Sequence, residues 1–99
     1  MKITVLVSGG WGTALAMTLY KNGHQVTLWS RRQETTDLLQ RTGENPKLPG
    51  MKIPEGIVLT SDLNCLREAE LVVMSAPSYA VWDVCRRAAP YLQENAVIV

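Results

Sequence analysis

Residues 5–16 read Val5-Leu6-Val7-Ser8-Gly9-Gly10-Trp11-Gly12-Thr13-Ala14-Leu15-Ala16. An apolar run leads into a glycine-rich turn, and small and apolar residues suited to a helix follow it. A turn of this kind directs backbone N–H groups from a helix N-terminus toward a phosphate, and the helix dipole favours the same anion. The dinucleotide-binding pattern is G-x-G-x-x-G. Gly9 and Gly12 occupy its second and third glycine positions, and Val7 occupies the first, so the match is partial.

The length and composition predict one small globular domain over residues 1–99, with 46% hydrophobic and 19% charged residues. A net charge of +1 provides no long-range field for nucleic acid or an anionic membrane surface. The apolar run before the glycines is too short for a signal peptide, and no run is long enough for a membrane span. Cys65 and Cys85 lack metal-site or C-x-x-C spacing, so we expect reduced structural cysteines in a cytoplasmic protein.

The chain alternates strand-like apolar runs with helical segments. The predicted strands are Lys2–Val7, Gln25–Trp29, Ile57–Thr60, Leu71–Met74 and Asn95–Val99. The predicted helices are residues 12–22, Gln33–Arg41, Leu63–Ala69 and a segment from Ser78 through Leu92, with a loop rich in proline and glycine over residues 42–56. This alternation predicts the α/β class, with a doubly wound, Rossmann-like parallel sheet of five strands.

Several residues have predicted roles within these elements. Gly23 should end the first helix, and Ser61-Asp62 and Ser78 should cap the third and fourth helices. The predicted buried faces are Ala14, Leu15, Thr18 and Leu19 on the first helix, and Val81, Val84, Cys85, Ala88 and Leu92 on the last. Trp29 and Trp82 are predicted packing residues, and His24 is predicted to lie in a surface turn away from the strand carboxyl ends.

Ligands of such sheets bind at the carboxyl ends of the strands. At the first strand end, Gly9 would allow the backbone to approach a pyrophosphate, and Gly12 would allow the helix to pack closely on the strand. Val7 occupies the position where the tight turn favours glycine, and a β-branched residue resists positive φ. Either the turn is reshaped or dinucleotide affinity suffers. The alternative is a glycine-rich turn without a ligand.

The second strand end carries Arg31 and Arg32, about 20 residues after the glycines, where NAD sites place an acidic residue and NADP sites an arginine. We therefore expect NADP in preference to NAD, the alternative being two solvated arginines. At the third strand end, the segment Ser75–Ser78, which contains Pro77, is predicted to line the cofactor cleft. The alternative for that segment is a fixed turn followed by a helix cap.

The segment Gly9–Ala16 resembles the N-terminal fingerprint of bacterial-type NAD(P)-dependent glycerol-3-phosphate dehydrogenase, G-x-G-S-W-G-T-A-L-A. The resemblance continues through the whole chain in order, in Asn22–Val26, Leu28–Arg31, Glu44–Gly50, Thr60–Leu63 and Ala76–Ser78. It implies reduction of dihydroxyacetone phosphate to sn-glycerol 3-phosphate with NADPH or NADH for phospholipid synthesis. It also implies cofactor contacts at Gly10, Trp11 and the Arg31-Arg32 pair. The motif N-P-x-L-P-G at residues 45–50 argues against the alternative that the chain is another hydroxyacid-type dehydrogenase with a similar N-terminal domain.

The chain departs from the family pattern at Val7, at Gly10 in place of serine, and in a proline-rich loop that is one residue shorter. The family's helical C-terminal domain, with its catalytic lysine, has no counterpart in these residues. We therefore expect a dinucleotide-binding domain, truncated after the fifth strand, that has no turnover alone and can associate into a homo-oligomer. The alternative is a non-catalytic nucleotide-sensing or interaction module with a degenerate dinucleotide loop.

Overall fold

A computed structural model of the chain describes residues 1–94 and 96–99. Within these residues, parallel strands form one sheet in the order β3-β2-β1-β4-β5. The strands are β1 (Lys2–Leu6), β2 (Gln25–Trp29), β3 (Val58–Thr60), β4 (Leu71–Met74) and β5 (Val97–Ile98). The order reverses between β1 and β4, which is the switch point of a doubly wound sheet. The predicted Rossmann-like architecture is confirmed, and the Asn95 end of the fifth predicted strand lies outside the described residues.

Helices connect these strands on both faces of the sheet. They are α1 (Gly10–Lys21), α2 (Gln33–Thr42) and α3 (Ser78–Ala88), together with 3-10 helices at Leu63–Glu68 and Ala89–Tyr91. The predicted third helix is therefore a 3-10 helix, which begins after Asp62, whose carboxylate accepts a hydrogen bond from the Asn64 N–H at 2.9 Å. Gly23 takes a φ of 92° immediately after α1, as its predicted position requires.

Alternating residues of the strands build one apolar cluster on each face of the sheet. On β1, Val5 packs beneath α1 and α2, while Leu6 faces the layer that contains α3. On β2, Leu28 and Trp29 divide in the same way, and both are fully buried. Continuous apolar strands are the signature of a parallel sheet that is covered on both sides. The packing role predicted for Trp29 is confirmed.

The predicted helix faces were only partly correct. In α1 the buried residues are Gly12, Thr13 and Ala16, whereas Thr18 is exposed, because small residues allow this helix to lie close to the sheet. In α3 the buried stripe is Ala80, Val84 and Ala88, so Cys85 is exposed and Leu92 lies beyond the helix.

Two further predictions for α3 were wrong. Ser78 does not cap this helix, because it is the first residue of the helix and Pro77 occupies the cap position. Trp82 is 77% exposed, because it lies outside the Ala80–Val84–Ala88 stripe that contacts the sheet.

The two cysteines are free and differ in environment. Burial raises the pKa of the Cys65 thiol to about 11, whereas Cys85 is exposed on α3.

Because a thiolate is the reactive species, a thiol reagent at pH 8 should label Cys85 rapidly and Cys65 slowly in the folded protein. Mass-spectrometric mapping of a time course would test this, with labelling in urea as the control. Equal rates at both sites in the folded protein would contradict the expected difference.

Candidate functional site

Val7 follows β1 and begins the glycine-rich turn with a φ of 83°, alone among the non-glycine residues of the described chain. Left-handed backbone costs an L-residue about 1–2 kcal/mol. Three contacts hold it there. Its N–H donates to the Trp29 carbonyl at 2.9 Å, and its carbonyl accepts a hydrogen bond from the Ser75 hydroxyl at 2.9 Å. Its side chain is buried in the apolar cluster between the sheet and α3. The turn therefore keeps the conformation that glycine would adopt.

Gly12 lies where α1 packs most closely against this turn. A Cβ on Gly12 would overlap the Val7 carbonyl oxygen and the Ser75 Oγ, far inside van der Waals contact. Gly9 differs, since a Cβ there would meet nothing within 4 Å. Gly12 thus allows α1 to pack on the end of β1, while the backbone at Gly9 faces open space.

The N-terminus of α1 provides the donors of the turn. The first hydrogen bond within α1 is donated by the Thr13 N–H to the Gly9 carbonyl at 2.9 Å. The N–H groups of Gly10, Trp11 and Gly12 therefore have no helical carbonyl to which they can donate. Within the described chain, the first turn of α1 carries no acidic residue that could compete for these amides. Such a helix end favours an anion.

Buried polar side chains join the glycine-rich turn to neighbouring elements. The Ser8 and Ser30 hydroxyls lie 2.6 Å apart and connect the ends of β1 and β2. The Asn45 amide nitrogen donates to the Ser8 carbonyl and the Thr13 hydroxyl, each at 2.8 Å, and thereby anchors the proline-rich loop. Asn45 is 4% exposed, so these bonds form away from water. Sequence reasoning assigned it no role, although it lies within the N-P-x-L-P-G stretch.

A cleft of about 360 Å³ opens beside this turn, at the carboxyl ends of β1 and β2. It is lined by Val7, Ser8, Gly9, Arg31, Arg32, Thr35, Leu38, Asn45, Pro46, Lys47, Pro77 and Tyr79. None of these described residues is acidic, and no described carboxylate pairs with Arg31, Arg32 or Lys47. The cleft therefore presents uncompensated positive charge beside a helix N-terminus, which suits a phosphorylated ligand.

The structure brings four of the predicted site residues together in this cleft: Gly9, Arg31, Arg32 and Pro77. The other three lie immediately beside it. Gly10 faces the backbone of Lys47, Gly12 is buried against Val7, and Trp11 is 74% exposed. Sequence reasoning missed Lys47 and Tyr79 as lining residues. The loop that carries Lys47 comes from a distant part of the chain, and no periodic pattern in the sequence indicates where it folds.

A second cavity, of about 380 Å³, lies at the opposite edge of the sheet, near the amino ends of β1 and β2, and includes His24. Ligands of doubly wound sheets bind at the carboxyl ends, so we assign the site to the cleft beside the glycine-rich turn. His24 precedes β2 and lies away from those ends, as predicted.

The described residues contain no group of three or more side chains positioned to hold a metal ion. No described helix has the length and apolar character of a membrane span.

The sequence matches the family of the NAD-dependent glycerol-3-phosphate dehydrogenase N-terminus over residues 2–99. The chain belongs to this family. It is 45% identical over 100 residues to a glycerol-3-phosphate dehydrogenase [NAD(P)+] of Pelotomaculum thermopropionicum, covering 99% of this chain and 29% of the relative. The corresponding protein of Syntrophomonas wolfei is 43% identical over 100 residues, with the same coverage.

Among solved structures, the glycerol-3-phosphate dehydrogenase (gpsA) of Coxiella burnetii superimposes with a TM-score of 0.90 at 33% identity, covering 98% of this chain and 30% of that one. The chain thus spans less than a third of the length of these relatives. The predicted family is confirmed.

The backbone strain at Val7 can be measured with a pair of variants. Val7→Ala and Val7→Gly both remove the buried side chain, but only alanine retains a Cβ at positive φ. We expect Val7→Gly to be the more stable variant by about 1 kcal/mol, after allowing for the greater flexibility of glycine in the unfolded chain. Urea unfolding of the two proteins measures the difference. An alanine variant that is as stable as the glycine variant would show that residue 7 carries no left-handed strain.

The Asn45 anchor predicts a second stability effect. Asn45→Ala removes both donated bonds and leaves the buried Ser8 carbonyl with fewer partners, so we expect a loss of about 2–3 kcal/mol. Asn22→Ala is the matched control, because Asn22 Nδ2 makes an exposed bond to the Thr18 carbonyl at 3.0 Å. The control should lose less than about 1 kcal/mol. Comparable losses from both variants in thermal unfolding would argue against Asn45 as the anchor.

Proposed function

We propose that this chain binds NAD(P)(H) in the cleft beside the glycine-rich turn, as the cofactor-binding part of a glycerol-3-phosphate dehydrogenase. The observation that carries the proposal is the N-terminus of α1, which opens onto a cleft lined by Arg31, Arg32 and Lys47 and by no described acidic residue. Positive charge on two sides of a helix N-terminus matches the phosphates of a dinucleotide.

Each predicted residue has a role in this proposal. Gly9, Gly10 and Gly12 hold the pyrophosphate, the first two through partly exposed backbone and Gly12 by permitting the close packing of α1 on Val7. Trp11 provides an exposed ring at the edge of the site, and Pro77 bounds the cleft at the end of β4.

Arg31 and Arg32 meet the adenosine 2′-phosphate, which makes NADP the preferred cofactor over NAD. Both lie after β2 and line the cleft, and the planar guanidinium group suits a phosphate. No acidic residue lies between Val26 and Gln33 to hold the 2′-hydroxyl of NAD.

The proposed reaction is reduction of dihydroxyacetone phosphate to sn-glycerol 3-phosphate, a precursor for phospholipid synthesis, by hydride transfer from the reduced nicotinamide. The matched relatives, which are named for this enzyme, support it. Because the chain spans 29% of their length, we propose that the 99 residues bind the cofactor but do not turn over the substrate alone. Steady oxidation of NADPH by the purified chain with dihydroxyacetone phosphate would contradict this part.

Location and assembly complete the proposal. Two free cysteines agree with a reducing, cytoplasmic environment. A homo-oligomer is the proposed state of assembly. Analytical ultracentrifugation would measure the state of assembly.

The competing function is a nucleotide-sensing or interaction module whose degenerate loop has lost cofactor affinity. The sequence support for that alternative is Val7 and Gly10, which stand where the family pattern has glycine and serine; of these, Val7 retains the positive φ of the turn. A titration of NADPH followed by tryptophan fluorescence distinguishes the two, since Trp11 is an exposed residue of the glycine-rich turn. Micromolar binding supports the cofactor domain, and no binding at millimolar NADPH supports the degenerate module. Trp82→Phe removes the signal of the exposed tryptophan on α3 and serves as the control.

Cofactor preference gives a second binding test. Replacing both Arg31 and Arg32 with alanine should weaken NADPH about tenfold or more and leave NADH nearly unchanged, because a charge-assisted contact contributes about 1.5–3 kcal/mol. Isothermal titration of both cofactors measures the two affinities. Arg86 and Arg87 on α3 provide a matched arginine pair outside the cleft, and their double alanine variant should bind both cofactors normally. Equal losses for NADPH and NADH in the Arg31/Arg32 variant would show that these residues do not recognise the 2′-phosphate.

A further inference from the structure

Backbone hydrogen bonds hold the two ends of a segment of the α2–β3 loop together. Its base is fastened by the Ile53 N–H, which donates to the Gly43 carbonyl at 2.7 Å, and by an antiparallel bridge between Glu44 and Lys52. Ile53 is buried in the cluster beneath α1 and α2. The residues between these anchors, 45–51, are therefore held in a defined position over the glycine-rich turn.

Asn45 sets the position of Lys47 within this loop. While its amide nitrogen holds the Ser8 carbonyl and the Thr13 hydroxyl, its side-chain oxygen accepts a hydrogen bond from the Lys47 N–H at 3.0 Å. The backbone of Lys47 is thus tied, through one buried side chain, to the turn that precedes α1.

The absence of a side chain at Gly10 permits this approach. A Cβ on Gly10 would lie 3.4 Å from the Lys47 Cβ and 3.5 Å from the Lys47 carbonyl oxygen. Lys47 therefore begins one van der Waals contact from the first residue of α1, where an anion would meet the free amides. A longer side chain at position 10 would occupy the space between them.

The Lys47 side chain lines the same cleft as Gly9 and has no carboxylate partner among the described residues. Arg31 and Arg32 line the cleft from a different element, the connection between β2 and α2. Two separate loops therefore supply cations to one cleft, and the loop that carries Lys47 contacts the start of α1.

We propose that Lys47 binds the pyrophosphate of the dinucleotide at the N-terminus of α1, whereas Arg31 and Arg32 recognise the adenosine 2′-phosphate. This inference rests on the proposed cofactor function and divides its cations into two tasks. The Lys47 ammonium adds a charge-assisted contact at the place where the helix offers only backbone donors. Affinity for the shared part of NAD and NADP then depends on Lys47, and discrimination between them depends on the arginines.

The test compares Lys47→Gln with Lys52→Gln, which removes the same charge from the same loop outside the cleft. NADPH and ADP-ribose are the probes, because both carry the pyrophosphate and only NADPH carries the 2′-phosphate. Isothermal titration should show that Lys47→Gln weakens both probes by a similar factor of about ten. Lys52→Gln should bind both as the unaltered protein does, and Lys47→Arg should retain most of the affinity.

The outcomes separate this inference from the function on which it rests. If the unaltered protein binds neither probe, the cofactor function fails and the role of Lys47 fails with it. If the unaltered protein binds both probes and Lys47→Gln binds them equally well, only the role of Lys47 is overturned. A Lys47→Gln variant that loses affinity for NADPH but not for ADP-ribose would also overturn it, since Lys47 would then contact a part of NADPH other than the shared pyrophosphate. Circular dichroism of each variant establishes that the fold is retained.

Discussion

The left-handed backbone at Val7 is the constraint on which the site depends. A valine at positive φ persists only because its surroundings leave it no other conformation. β2 fixes its N–H, Ser75 fixes its carbonyl, and the core fixes its side chain. Relaxing the turn would therefore cost hydrogen bonds and buried apolar surface at the same time. The same geometry directs the chain into α1, whose N-cap residue Gly9 lines the cleft.

Polar side chains hold the separate strand ends together around that turn. Ser75 reaches from the end of β4, Ser30 from the end of β2, and Asn45 from the loop before β3. Each bonds to the backbone or hydroxyl of residues 6–8. The resulting network fixes the glycine-rich turn rigidly at the carboxyl end of the sheet. Rigid placement of donors and cations reduces the entropy that is lost when a charged ligand binds.

The sequence predicted the strands, the order of elements and the position of the cleft, because these follow from hydrophobic periodicity and from the glycine pattern. It predicted the buried helix faces only in part, with Val84 and Ala88 correct on α3. Thr18 and Cys85 satisfy a helical spacing, but close packing favours the smaller Gly12, Ala16 and Ala80. Lys47 was missed for a different reason, because its role depends on a tertiary bond from Asn45 that no local pattern encodes.

The bond between Ser75 and Val7 joins residues 68 positions apart in the sequence. Parallel pairing of β1 with β4 is equally non-local, since Ile3 lies opposite Leu71. Closing such long loops is slow and is rewarded only when the distant strands meet. We therefore expect the glycine-rich turn, although contiguous in the chain, to reach its final shape late in folding, when β4 docks. A ligand that binds this turn selects chains whose whole sheet is already assembled, so its binding energy stabilises the entire domain rather than one loop.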